Sequence, residues 1–343
     1  MMHMIAGVTL CCAVLQVNSN FEEQGRAEYR SGQYAAAEAS FVSALSSLER
    51  GRHDGEHARI LAELGNVLVN EDKLLKAEQV FGQSLAIYKR LGDQRQISLL
   101  LRHLGAVYSL AGRDDDALRV LRQALKLTRA NHDVGIETEV LNVIGVVYYR
   151  QNRNNKAANC FNQALAAASS AGVQTDPGEL LNNLGNVYQA AHKYEEAEAF
   201  LKRALNEIES AAGLSHPDLT FTLQSLGTLY TAIGRYAEAE DQYLRALTIL
   251  EPNEPEFETR IARLLHALSA TYAKAGRKAD AEAALSRAAR IARGNLAQHA
   301  EMASIVEEYA ESLRKQRKSK EAAELLLEAR RARAAASLVT TAR

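Results

Sequence analysis

The sequence predicts an all-α protein, an α-solenoid built from about eight stacked helical hairpins. The chain contains many alanines, only four prolines and no tryptophan. This composition favours helices, because Ala loses no side-chain entropy in a helix and Pro interrupts one. In addition, small residues recur at steps of 40 to 42 positions, and the apolar residues around them are spaced as on one face of a helix.

A small residue, called the marker below, identifies the first helix of each repeat. Apolar side chains stand four residues before most markers, one residue before them and three residues after them. Spacing at i, i+3, i+4 and i+7 places these side chains on one helix face. We therefore expect an amphipathic helix around every marker. The markers are Gly25, Gly65, Gly105, Gly145, Gly185, Gly227, Ser269 and Ala310.

A second helix should follow each first helix. An alanine stands twelve residues after every marker, and a Phe, Tyr or Leu follows it four residues later. Between the two helices one equivalent position is occupied by Gly32, Gly112, Gly234 and Gly276, where the chain is expected to reverse. A single hairpin cannot bury its apolar stripe, so neighbouring hairpins should stack and share a continuous core.

The N-terminal segment, residues 1–18, differs from the repeats. Residues 4–17 are almost wholly apolar, and no side chain before Phe21 carries a fixed charge. The segment is too short for a stable membrane span, which needs about 20 residues. One interpretation is a signal peptide over residues 1–19 of an exported protein. The other is an extra apolar helix, or the product of an upstream start codon, in a cytoplasmic protein.

The charges of the chain argue against nucleic acid as a partner. Lys and Arg number 41 and Asp and Glu 42, so no overall positive field exists to hold a polyanion. Residues 314–343 nevertheless carry nine Lys or Arg against three Glu, a local charge of +6. We interpret this end as a capping repeat, whose outer face must be polar, within a solenoid over residues 19–335 and before a frayed tail over 336–343. The alternative is a docking surface for an acidic protein, an anionic membrane surface or nucleic acid.

No pattern of a metal site, disulfide framework or cofactor site occurs. The nine histidines are scattered, and the pair His53 and His57 has no HExxH motif around it. The three cysteines lack the spacing of a disulfide framework; they are Cys11, Cys12 and Cys160. No cofactor or metal ion is therefore expected.

Catalytic motifs are missing as well. Neither a Gly-rich phosphate loop nor a GxSxG motif is present. Carboxylates of the second helices, such as Glu195, Glu196 and Glu198, are expected on solvent-facing surfaces. The turns between repeats look too short to hold an inserted active site. The sequence thus predicts a protein that is not an enzyme.

The repeat itself resembles the tetratricopeptide repeat family. A large apolar residue, Leu-Gly, Tyr, Ala, Phe or Tyr, and Ala-Leu follow one another most clearly in LNNLGNVYQAAHKYEEAEAFLKRAL at 181–205. The family's Trp is replaced by Leu or Phe, and the repeats have 40 to 42 residues, as in the long repeats of kinesin light chains and many bacterial repeat proteins. The resemblance implies a right-handed superhelix whose first helices line a concave groove for peptides or partner helices.

The resemblance implies that four positions of each first helix line the groove. They stand three residues before the marker and one, four and five residues after it. Amide side chains there offer both donors and acceptors, which match the backbone of an extended peptide. Arg102, Tyr149, Arg150 and Gln189 would then select partner side chains. The alternative is that all these residues are ordinary solvent-facing side chains. The candidate set is Asn66, Arg102, Asn142, Tyr149, Arg150, Asn182, Asn186, Gln189, Gln224 and Thr228.

The sequence thus predicts a non-catalytic scaffold that binds a peptide or helical segment of a protein partner. A ligand-responsive regulator is the second hypothesis, and an exported protein of envelope assembly the third. The family's carboxylate clamp, which captures chaperone tails, is not reproduced, because Glu22 and Ala62 stand where lysines are needed.

Overall fold

The computed structural model describes residues 20–48, 54–170, 177–296 and 299–341, apart from the side chains of 253–256 and 336–341. Within these ranges the secondary structure is helical and contains no β-strand. The apolar segment 1–18 lies outside the described residues, as do Cys11, Cys12 and His53. In the described part of the chain, no helix combines the length and apolarity needed to cross a bilayer.

Sixteen α-helices lie in the described ranges, and the predicted all-α fold is confirmed. Odd numbers denote first helices of repeats and even numbers second helices. The helices are α1 (20–30), α2 (Tyr34–Ser47), α3 (Asp54–Asn70), α4 (Leu74–Leu91), α5 (Gln94–Leu110), α6 (Asp114–Ala130), α7 (Val134–Arg150), α8 (Asn154–Ser170), α9 (Gly178–Ala190), α10 (Tyr194–Ala212), α11 (Leu219–Ala232), α12 (Tyr236–Leu250), α13 (Glu254–Lys274), α14 (Lys278–Gly294), α15 (Ala303–Lys315) and α16 (Ser319–Thr341).

The helices pack in consecutive pairs. From α3 onward each first helix packs against the second helix of its own repeat, as in α7 with α8. Within each of the two units described next, second helices also pack against the following first helix, as in α4 with α5. The chain divides into two compact units, 1–175 with α1 to α8 and 176–343 with α9 to α16. Buried side chains from Ala37 to Cys160 form a cluster in the first unit, and those from Ala197 to Ala329 form one in the second.

The marker glycines allow the two helices of a repeat to approach closely. A Cβ atom added at Gly145 would lie 2.4 Å from Cε1 of Phe161, and one at Gly105 would lie 2.4 Å from Cγ of Leu121. Real Cβ atoms do not approach other heavy atoms so closely. The predicted second-helix alanines are also buried, since seven of the eight are completely inaccessible. The side chain sixteen residues after the marker therefore fills the space that a marker side chain would need.

The turn inside each repeat has a left-handed residue at its centre. The residue seven positions after the marker has a φ between 57° and 80° in all eight repeats. Four repeats have the predicted glycine there, which adopts this conformation without steric cost. The other four have Asp72, Asn152, His192 and Arg317.

The last helix extends beyond residue 335, where the solenoid was predicted to end. It continues to Thr341, and so runs through most of the segment predicted as a tail. The alanine-rich stretch 332–336 favours this continuation, because Ala has the highest helix propensity. Among the side chains of this helix that are described, up to residue 335, the last buried one is Ala329.

Candidate functional site

The predicted groove residues fall into two groups, one in each unit. The α3–α7 surface consists of Asn66, Arg102, Asn142, Tyr149 and Arg150. The α9–α11 surface consists of Asn182, Asn186, Gln189, Gln224 and Thr228. Neighbouring first helices are in contact within each unit, α5 with α7 and α9 with α11. Each surface therefore brings together side chains that are about one repeat apart in the sequence.

Arg150 of the α3–α7 surface is held by the preceding repeat. Its Nη1 donates hydrogen bonds to the backbone oxygen of Ser109 and, at 3.0 Å, to the Ser109 hydroxyl. Ser109 is buried and occupies the equivalent turn of the preceding first helix α5. The guanidinium thus links two neighbouring first helices. The adjacent Tyr149 is exposed, so its ring is available to a partner.

Arg102 is also fixed between repeats. Its Nε lies 2.9 Å from Oε2 of Glu139 on α7, and its Nη2 lies 3.0 Å from Nε2 of His103. A guanidinium can only donate, so His103 accepts through Nε2 and stays neutral. Burial, together with the charge of Arg102, lowers the pKa of His103 to about 3. The imidazole stacks on Phe81 with ring centroids 5.1 Å apart.

Asn66 borders a shallow cleft at the start of the first unit. The cleft has a volume of about 480 Å³ and is also lined by Tyr29, Phe41 and Arg26. The Arg26 guanidinium is paired with Glu63, with Nε 3.0 Å from both carboxylate oxygens. Its charge is thus largely neutralised by its neighbours. Asn142, on α7, is half-buried.

Amide side chains dominate the α9–α11 surface. Asn182, Asn186, Gln189 and Gln224 are all half-buried, so packing restricts their position while part of each residue stays accessible. Thr228 is exposed; its hydroxyl donates to the backbone oxygen of Gln224 at 2.8 Å and lies 3.1 Å from the Tyr243 hydroxyl. The surface therefore presents donors and acceptors without a charged side chain of its own.

A cleft of about 410 Å³ opens at one end of this surface, between α9, the end of α10 and the start of α11. Asn182 lies in its wall. We call it the α9–α11 cleft. Its lining residues are Glu179, Asn182, Asn183, Ile208, Asp218, Phe221 and Thr222.

The two surfaces present hydrogen-bonding, aromatic and cationic side chains. Burial raises the pKa of the Cys160 thiol, which disfavours the nucleophilic thiolate. Among the described residues, no group of three or more His, Cys, Asp or Glu is arranged to hold a metal ion. Amides, a hydroxyl, an exposed tyrosine and two fixed guanidiniums remain as functional groups.

Sequence reasoning missed a cluster at the turn between helices. In α11 and the turn after it, Arg235 stacks on the ring of Tyr230, with Cζ 4.3 Å from the centroid, and pairs with Glu198 of the preceding repeat at 2.8 Å. The hydroxyl of Tyr230 donates to the same carboxylate at 3.0 Å. The expectation that Glu198 simply faces solvent is therefore wrong, because this carboxylate joins two repeats. The sequence does contain a signal for this cluster. A basic residue stands eight positions after the marker of one repeat, and a Glu stands thirteen positions after the marker of the preceding repeat.

The repeats match a known family model. The model for the tetratricopeptide repeat matches residues 56–130, 100–170 and 176–251, which together make up more than half of the chain. The chain belongs to the tetratricopeptide repeat family. The helix–turn–helix units, the close approach at the marker and the left-handed turn residue are thus features of tetratricopeptide repeats in this protein.

Solved structures with a similar fold include one protein described in complex with a peptide and one described in complex with a factor. The Rap protein complexed with competence and sporulation factor is 14% identical, with a TM-score of 0.56 over 93% of this chain and 98% of that one. The Rap conjugation gene regulator of plasmid pLS20, in complex with the Phr* peptide, is 17% identical, with a TM-score of 0.61 over 81% and 74%. BtubC from P. vanneervenii is 24% identical, with a TM-score of 0.57 over 64% and 90%. No curated protein sequence matches the chain.

Proposed function

We propose that this tetratricopeptide protein is a non-catalytic interaction scaffold that binds a peptide or helical segment of a partner protein on the polar faces of its first helices. The observation that carries the proposal is the row of half-buried amides on α9 and α11, which includes Asn182, Asn186 and Gln224. An amide held in place by packing pays little entropy on binding. It can pair with both the N–H and the C=O groups of an extended backbone.

The α3–α7 surface would contribute side-chain selection. Arg102 and Arg150 are held by Glu139 and Ser109, so their positions are fixed before a partner arrives. Tyr149 adds an exposed aromatic ring beside them. Tyr and Arg are the residue types that contribute most energy at protein interfaces. The fold agrees with this proposal, since the Rap proteins named above are described in complex with a factor and with a peptide.

The test starts from a display library of random linear peptides selected on the full chain. The affinity of a selected peptide is then measured by calorimetry for the unchanged protein and for two variants. Arg102→Ala with Asn142→Ala alters the α3–α7 surface, and Asn182→Ala with Asn186→Ala alters the α9–α11 surface. We expect at least one variant to bind about 10-fold more weakly, which corresponds to about 1.4 kcal/mol.

A control variant has the same residue types changed on second helices. Arg122 on α6 and Asn162 on α8 are exposed, and Arg122→Ala with Asn162→Ala should leave the affinity unchanged. If the control weakens binding as much as the surface variants do, or if none of the variants differs from the unchanged protein, the first helices are not the binding surface.

A ligand-responsive regulator is a second candidate function. The observation that favours it is the similar fold of the Rap conjugation gene regulator, which is described with its Phr* peptide. A passive scaffold should keep its radius of gyration when the selected peptide is added, whereas a regulator of this kind should change it. Small-angle X-ray scattering with and without the peptide separates the two functions.

A further inference from the structure

Two polar atoms in the α9–α11 cleft lack hydrogen-bond partners. They are Oδ1 of Asn182 and Oγ1 of Thr222, and both residues line the cleft. Buried side-chain polar atoms without a hydrogen-bond partner are rare in the described part of the chain, and this cleft contains two of them. Thr222 is 1% exposed, so open solvent does not satisfy its hydroxyl. Buried polar groups are nearly always paired in proteins, and an unpaired one calls for an explanation.

The two charged side chains that line the cleft are acidic, and the nearest cation that contacts the lining is Arg260. Glu179 and Asp218 contribute carboxylates to the lining, which contains no Lys or Arg. Asp218 lies at the mouth with its side chain 65% exposed, and Nδ1 of His216 is 3.6 Å from its Oδ2. Both the unpartnered carbonyl and the carboxylates are acceptors. A ligand group that supplies donors and positive charge would satisfy them, whereas a phosphate or carboxylate would be repelled.

The wall of the cleft contains one aromatic and one apolar side chain. Phe221 is 53% exposed, and the guanidinium of Arg260 lies over its ring at 4.1 Å from the centroid. Arg260 is itself engaged, because its Nη2 donates to the backbone oxygen of Pro217 at 2.9 Å and to the Thr220 hydroxyl. Arg260 therefore already makes the cation–π contact with this ring. The buried side chain of Ile208 gives an apolar wall for the aliphatic stem of a long basic residue.

We propose that the α9–α11 cleft binds a cationic side chain, arginine or lysine, of the partner peptide. The ammonium or guanidinium donates hydrogen bonds to Asn182 Oδ1 and Thr222 Oγ1, and its charge is balanced by Glu179 and Asp218. The proposal rests on the proposed function, because it assigns one side chain of the peptide that the α9–α11 surface receives. It deepens that function by defining the partner as a basic peptide rather than an acidic one.

The direct test uses small probes and the full chain. N-acetyl-arginine N-methylamide is titrated into the protein and followed by saturation-transfer NMR, and the matching citrulline derivative serves as the uncharged isostere. We expect the arginine probe to bind and the citrulline probe to bind about 5-fold more weakly or not at all, as for loss of one partly exposed charge pair. Equal binding of the two probes, or binding of neither, would overturn the proposal.

Three variants locate the effect. Asp218→Asn and Thr222→Val should each weaken binding of the arginine probe, whereas Asp241→Asn, which removes an exposed charge on α12, should not. Thr222→Val replaces an unpartnered hydroxyl with a methyl group of the same size, so the melting temperature should not fall. If Asp241→Asn weakens binding as much as Asp218→Asn, the attraction is general and the cleft is not the site.

The selected peptides distinguish this proposal from the proposed function. Peptides that require Arg or Lys and lose affinity with Asp218→Asn support both. Peptides that depend on Asn186 but contain no basic residue retain the scaffold function and overturn the cationic cleft. Binding of the arginine probe without selection of any peptide contradicts the scaffold function instead, and leaves the cleft as a site for a cationic group.

Discussion

At the residue scale, the marker glycines are required by distance. A glycine in a helix interior ordinarily costs about 0.5 to 1 kcal/mol relative to alanine, because its backbone loses more freedom on folding. Gly145 of α7 faces the ring of Phe161 on α8. This ring occupies the place of the missing side chain, since its Cε1 lies 2.4 Å from a Cβ added at Gly145. The close contact between the two helices outweighs the helix propensity that alanine would add.

Because of this contact, replacement of glycine by alanine should change the free energy of unfolding in opposite directions at Gly145 and Gly82. Gly145→Ala should lower the free energy of unfolding by about 1 to 3 kcal/mol through overpacking. Gly82, on the exposed face of α4, has no atom within 4 Å of an added Cβ. Gly82→Ala should therefore raise the free energy of unfolding by about 0.5 to 1 kcal/mol. Urea unfolding followed by circular dichroism measures both changes, and the same sign for both would contradict the packing argument.

His103 is the second residue with a consequence of its own. It is neutral in the folded protein, since burial and the neighbouring Arg102 lower its pKa from 6.5 to about 3. In the unfolded chain the imidazole takes up a proton as the pH falls below its ordinary pKa. The unfolded state then binds more protons than the folded state, so stability falls as the pH decreases from about 6.5 towards 3.

A pH series should reveal this effect. Between pH 7 and pH 5 the unchanged protein should lose about 2 kcal/mol more stability than the variant His103→Phe, which keeps a ring beside Phe81 and cannot be protonated. The other histidines are present in both proteins and cancel in the comparison. Denaturant unfolding at the two pH values measures the difference. Parallel pH dependences would show that His103 is protonated equally in the folded and unfolded states.

At the scale of elements, the turns connect neighbouring repeats through a recurring cluster. Arg277 stacks on Tyr272, with Cζ 4.3 Å from the ring centroid, and its Nη1 contacts Glu240 of the preceding repeat at 2.5 Å. The hydroxyl of Tyr272 donates to the same carboxylate at 2.7 Å. Burial, reinforced by the charge of Glu240, raises the pKa of Tyr272 to about 12. A similar arrangement joins Tyr108 and Arg113 to Glu78.

The tyrosine hydroxyl should therefore stabilise the stacking of repeats. Tyr272→Phe keeps the ring under Arg277 and removes only the hydrogen bond to Glu240, so we expect a loss of about 1 kcal/mol. Tyr236→Phe, outside the cluster, should change stability by less than about 0.5 kcal/mol. In the background of Glu240→Gln the effect of Tyr272→Phe should shrink, because the charged acceptor is gone. Equal effects in both backgrounds would show that the two residues do not interact.

Helix starts form a further link between local sequence and structure. Asp93 and Asp133 stand before α5 and α7 and accept hydrogen bonds from the backbone N–H groups of Gln96 at 3.0 Å and Ile136 at 3.1 Å. These are N-caps, which satisfy donors that the helix cannot pair internally. The same spacing of 40 residues separates the two aspartates, so a search for capping residues would have placed the starts of both helices.

At the scale of the whole molecule, the chain consists of two compact units, and each satisfies its own apolar faces through neighbouring helices. The repeat pattern in the sequence was sufficient to predict the stacking of hairpins within each unit, because every hairpin follows the same pattern. It contained no signal for a division near residue 175. Some of the predicted groove residues lie in the first unit and the others in the second, so each unit has a surface of its own.

The candidate site was predictable only in part. Spacing from the markers predicted which positions would lie on the first-helix surfaces, including Arg102 and Arg150. It did not predict that their guanidiniums are held by Glu139 and Ser109, which lie 37 and 41 residues away in the sequence. Such partners depend on the stagger of neighbouring helices, a property of packing that no single helix carries.

By itself the sequence determined the helical pairs, their order and the close approach at the markers, because helix periodicity and side-chain size are local and recur in every repeat. Only the tertiary structure decided which polar groups pair across repeats and which atoms, like Oδ1 of Asn182 and Oγ1 of Thr222, are buried without a partner. The physical reason is that a hydrogen bond depends on distances of a fraction of an ångström between side chains from different helices. These distances arise only when the hairpins have packed together.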